Sequence, residues 1–169
     1  LFNKAFEKFQ KALNIKPDYA NSLNNYGSAL SDLGSLKNDE ALFNKAFEKF
    51  QKALEILPDN VDTLNTYGSA LVNLAQLKNN ESLFNKAFEQ FQMALKIQPN
   101  DTYNLACYYA IRNQLDLVKV NLLHSEKHNT LPTVEHLSED KDLDKVRNEQ
   151  WFIELLERLK TKEEANKVT

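Results

Sequence analysis

The sequence predicts an all-α fold, a solenoid of antiparallel helical hairpins, and three observations carry the prediction. The 13-residue segment LFNKAFEKFQKAL, residues 1–13, recurs unchanged at Leu42–Leu54 and lightly edited at Leu83–Leu95, a period of 41 residues. Landmarks between the copies recur in step: Pro17, Pro58 and Pro99; Tyr26 and Tyr67; Gly27 and Gly68. Three glycines and four prolines in 169 residues leave few places for strand turns or flexible linkers. A fixed period of roughly 20 to 50 residues marks a solenoid or array.

The opening segment, residues 1–17, has the pattern of the second helix of a hairpin. In its copy Phe43, Phe47, Phe50 and Leu54 fall at i, i+4, i+7 and i+11, with Ala46 and Ala53 as small contacts beside them, so one face is apolar. Glu48 and Lys52 form a favourable i, i+4 pair on the opposite face. Pro58 ends this helix, because proline disfavours helical geometry in the residue before it and cannot donate to the preceding turn. Asp59 or Asn60 is placed to cap the next helix.

That next helix, VDTLNTYGSALVNLAQLK, is expected to bury Leu64, Tyr67, Gly68, Leu71 and Leu74. Gly68, like Gly27, costs about 1 kcal/mol in a helix interior relative to alanine. Its recurrence points to a neighbouring helix that approaches closely. Lys37-Asn38-Asp39 and Lys78-Asn79-Asn80 carry residues suited to turns and caps, so each closes a hairpin.

These positions resemble the tetratricopeptide family. Its pattern W-x2-L-G-x2-Y, A-x3-F, P over 34 residues is similar to Leu23-x2-Tyr26-Gly27-x2-Leu30, Ala46-x3-Phe50, Pro58, and again to Leu64-x2-Tyr67-Gly68-x2-Leu71, Ala87-x3-Phe91, Pro99. The period here is longer by seven residues, close to two turns at 3.6 residues a turn, which fits one extra turn on each helix. The resemblance implies a right-handed superhelix with repeats over 18–58 and 59–99, preceded by the truncated repeat 1–17.

From 100 to 132 the pattern shortens: Leu105-Ala106-x2-Tyr109 arrives three residues early and Val118-x3-Leu122 follows at ordinary spacing. Residues 133–160 resemble the segment that closes tetratricopeptide arrays, with a short helix at Val134–Leu137, a turn at Asp142-Leu143-Asp144 and a lid carrying Trp151, Phe152, Leu155 and Leu156. Terminal repeats differ because their outer face meets water. Residues 161–169 are expected to fray.

A formal net charge of −3 and the absence of a Lys/Arg-dense stripe argue against nucleic acid as a partner. No apolar run approaches the roughly 20 residues of a membrane-spanning helix and no signal-peptide pattern opens the given sequence, so the cytoplasm is expected as the default compartment. Cys107, in NLACYYA, has the setting of a packed small hydrophobe. His124 and His128 are i, i+4, but Ser125 stands where a zinc-protease helix needs glutamate, no further ligand completes a set, and His136 lies beyond a proline. Glu139, Asp140, Asp142 and Asp144 lack the glycine and closing glutamate of a calcium loop, so solvated charge is expected there. No nucleophile motif, P-loop or dinucleotide fingerprint occurs. The chain is read as non-enzymatic, without a metal or cofactor.

What remains is a binding surface. The resemblance implies a concave face lined by the first helices, where a peptide or partner helix binds. The residues assigned to it are Asn21, Asn24, Asn25, Ser28 and Ser31; Asp62, Asn65, Ser69 and Val72; and Asn104. Asn24 and Asn65 recur at equivalent places, and an amide offers both donor and acceptor to a peptide backbone. The lysine–arginine clamp of the family's chaperone-tail binders has Asn and Ser in its place here. The rival reading is structural. The chain begins without a methionine inside a second-helix segment, as expected of a fragment of a longer repeat protein, and Phe2, Phe6 and Phe9 would then form an uncovered stripe for homo-oligomerisation.

Overall fold

A computed structural model describes residues 2–16 and 19–168. The described residues are helical throughout, with no strand among them. The chain divides into two compact units, the first ending at Gln98 and the second beginning at Pro99.

The first unit holds α1 (Phe2–Ile15), α2 (Ala20–Lys37), α3 (Glu40–Ile56), α4 (Val61–Lys78) and α5 (Glu81–Ile97). α2 pairs with α3 and α4 with α5, while α4 also packs on α2 and α3. The hairpin turns depend on asparagine. Asn38 and Asn79 sit in the left-handed region at φ 52° and 47°, a conformation asparagine tolerates better than most residues. Asp39 then accepts from the Ala41 amide and Asn80 from the Ser82 amide, both at 2.9 Å, capping the following helix. Before α4 the cap is Asn60, whose side chain accepts from Thr63 N at 2.8 Å. α3 ends at Ile56, two residues before Pro58, and α5 at Ile97, two before Pro99. The stop read at Pro17 falls outside the described residues.

Glycine sets the distance within each hairpin. A Cβ on Gly27 would stand 2.7 Å from the Phe50 ring, and one on Gly68 would stand 2.5 Å from Phe91. Removing one methyl group lets the ring lie against the helix backbone, where Phe50 is fully buried and Phe91 is 2% exposed. Tyr67 stacks on Phe50 with ring centroids 5.4 Å apart.

The second unit holds α6 (Tyr103–Ile111), α7 (Leu115–His128), α8 (Val134–Glu139), a 3-10 helix (Lys141–Val146) and α9 (Gln150–Val168). α6 has 9 residues where α4 has 18. Leu137, Leu143, Val146, Phe152 and Leu155 share one core with Ala106, Ala110, Val118 and Leu122. The boundary expected between 132 and 133 therefore lies inside a single core. The tail expected to fray from 161 continues α9 to Val168, a stretch with two Lys and two Glu and neither Gly nor Pro.

Candidate functional site

The buried stripe of α2 contains Leu23, Gly27, Leu30 and Gly34, and that of α4 Leu64, Gly68, Leu71 and Ala75. At about 100° per residue, the positions opposite those stripes are Asn21, Asn25, Ser28, Asp32 and Ser35 on α2 and Asp62, Thr66, Ser69, Asn73 and Gln76 on α4. All ten are exposed or half-exposed. The two rows belong to neighbouring helices and are joined at one end by a hydrogen bond from the Asn60 amide to Asn21 Oδ1 at 3.4 Å. At the other end they reach a cavity of about 310 Å³ lined by Ser35, Asn38, Phe43, Asn73, Gln76 and Leu77. Burial raises the Asp32 carboxyl above its ordinary range. No row position carries lysine or arginine.

The residues predicted for binding fall in four places. Asn21, Asn25, Ser28, Asp62 and Ser69 lie on the rows. Ser31 and Val72 are 4% and 3% exposed and belong to the interior, so they offer a ligand nothing. Asn24 and Asn65 are half-buried on the flank, and the Asn24 carboxamide oxygen is buried without a hydrogen-bond partner. Asn104 is half-buried in α6 and belongs to the second unit. Asp32, Ser35, Thr66, Asn73 and Gln76 share these rows by the same helical arithmetic but were not among the residues assigned from sequence.

Phe6 and Phe9 pack on Tyr26, with ring centroids at 5.4 and 5.5 Å, and Phe2 lies against Phe6 at 6.1 Å. All three are half-buried.

In the second unit the fold gathers Cys107, Asp140 and Asp142, whose ligand-type atoms lie within 4.8 Å of one another. Of the described residues these are the ones grouped as a cation site would need. Their hydrogen bonds are structural, however. Asp140 Oδ2 accepts from the Tyr103 hydroxyl and, at 3.6 Å, from the Cys107 thiol, while Oδ1 accepts from Asp142 N at 2.9 Å. Burial, followed by the charges of Asp140 and Asp142, pushes the Cys107 thiol up, so it stays protonated and unreactive at neutral pH. The His124 and His128 rings lie 4.7 Å apart, tilted at 43°, and His136 lies edge-on to Tyr103 at 5.8 Å.

Residues 1–135 match the family described as plant specific mitochondrial import receptor subunit TOM20. The chain belongs to this family. The match spans α1 to α7 and ends just inside α8, so both exposed rows fall within it. No curated protein matches the chain. TOM20 is a receptor family and not a catalytic one, and the chain is non-enzymatic. Its receptor role agrees with a protein ligand. Membership overturns the cytoplasmic default: the family is one of mitochondrial import receptors, and composition had offered no signal for that address. No helix among the described residues is long and apolar enough to cross a membrane.

Proposed function

We propose that the chain is a receptor domain for proteins bound for mitochondrial import, and that a segment of such a protein lies along the paired rows of α2 and α4. The carrying observation is the family match over residues 1–135. The hairpins of the first unit are then lengthened tetratricopeptide-type repeats whose first helices supply the binding face, and the array binds protein without cofactor or catalysis.

The chemistry of the rows narrows the ligand. Asn21, Asn25, Asn73 and Gln76 offer paired donors and acceptors, while Asp32 and Asp62 give the face a negative sign. A segment with lysine or arginine on one side and apolar residues for the cavity beside Leu77 fits this surface. Leu77 is 40% exposed there. Exposed charge attraction is screened beyond about 8 Å at physiological ionic strength, so binding should weaken with salt.

A labelled mitochondrial precursor, titrated with the chain at low and at high salt beside the mature form of the same protein, tests the reading. Preference for the precursor, reduced by salt, is expected. Equal binding of the two forms would remove the import-receptor reading.

A further inference from the structure

α7 ends in two histidines one turn apart. His124 and His128 stand at i and i+4, where side chains on a helix are neighbours with Cβ atoms about 5 to 6 Å apart. Their ring centroids are 4.7 Å apart and the planes are tilted by 43°. Nε2 of His124 is buried and finds no hydrogen-bond partner among the described residues. A polar nitrogen buried unpaired costs free energy, so this atom is open to a partner that the chain itself does not supply.

The chemistry of the pair suits a metal ion. Neutral imidazole nitrogen binds Zn²⁺ at about 2.0 to 2.1 Å and suits Ni²⁺ and Cu²⁺ as well. Two such bonds at a tetrahedral angle set the nitrogens about 3.3 Å apart, within reach of rings whose centroids are 4.7 Å apart. The helix end contributes too, because His128 is the last residue of α7 and the C-terminal turn of a helix favours positive charge. Access is open on one side, since His128 is exposed while His124 is half-buried. Mg²⁺ and Ca²⁺, which take oxygen ligands, are disfavoured by a protein ligand set of nitrogen alone.

We propose that His124 and His128 form a two-ligand site for a divalent ion of the Zn²⁺, Ni²⁺ or Cu²⁺ class, with water filling the remaining positions. The ion clips the last turn of α7, immediately before Asn129, whose left-handed backbone at φ 57° ends the helix. Two protein ligands make the site exchangeable, unlike the four-ligand sites that hold structural zinc. It is separate from the group of Cys107, Asp140 and Asp142, to which neither histidine belongs. His136 lies against Tyr103 instead.

The probe is nickel chloride, titrated by calorimetry into the whole chain without an affinity tag. The same titration is run on His124→Gln, His128→Gln and the Cys107→Ser/Asp142→Asn double variant, with helicity checked by circular dichroism. The parent is expected to bind the ion saturably at unit stoichiometry. Either histidine change should weaken binding about tenfold or more, because the second bond of the pair forms intramolecularly and is lost. His128 is exposed, so its replacement leaves the core untouched. The double variant should bind as the parent does. Absence of saturable binding overturns the proposal, as does binding that His128→Gln leaves intact. Binding lost in the double variant, with both histidines present, would assign the ion to the cysteine–aspartate group, and the proposal would fall.

Discussion

Phe50 and the backbone of Gly27 lie so close that a single added methyl has nowhere to go. Alanine gains about 1 kcal/mol over glycine in helix propensity, but overpacking a core costs about 1 to 3 kcal/mol. Gly27→Ala should therefore lose stability, by about 1 kcal/mol net, and Gly68→Ala at least as much, because its contact is 2.5 Å; urea unfolding measures both. In the second unit, desolvation and the neighbouring Asp140 and Asp144 raise the Asp142 carboxyl to about 6. A carboxyl held above its unfolded value of about 3.9 opposes folding once ionised. Its penalty is complete above pH 6 and fades as pH falls toward 4. Asp142→Asn should thus raise Tm at pH 7.5, with the gain vanishing near pH 4. Gly27 was legible in the sequence because a repeated glycine inside a helix needs a reason. Asp140 was not, because its donors Tyr103 and Cys107 stand 37 and 33 residues earlier and only the fold brings them together.

At the scale of elements, helix ends were readable and helix flanks were not. Proline, asparagine and aspartate act on adjacent backbone, so the stops and the Asn60 cap follow from local chemistry. Asn60→Ala should cost about 1 kcal/mol. Asn38→Val should cost about 1 to 2 kcal/mol by forcing a branched residue into the left-handed region, whereas Asn38→Gly should be tolerated. Thermal unfolding of the three variants distinguishes a cap from a strained turn. Periodicity also gave the angular position of each side chain. It could not say which neighbour fills a given direction. Ser31 and Val72 sit about a quarter turn from the exposed row, and neighbouring elements bury both.

Across the whole molecule, composition and period established the all-helical class, while the division of the chain came from packing. Leu137, Val146 and Phe152 complete the core begun by α6 and α7, within the unit that starts at Pro99. A chain ended at residue 132 should lose that cover, and amide exchange should accelerate throughout α6 and α7. Family membership added what hydropathy cannot encode, namely kinship with mitochondrial import receptors. The central claim is that the paired rows of α2 and α4 hold the imported protein. The most direct test is the affinity of a labelled precursor for the parent chain and for the Asn25→Arg/Ser69→Arg double variant, with helicity checked by circular dichroism. Two cations placed on a face that has none should weaken binding about tenfold or more while the helices stay intact. Unchanged affinity in a fully helical variant would contradict the account.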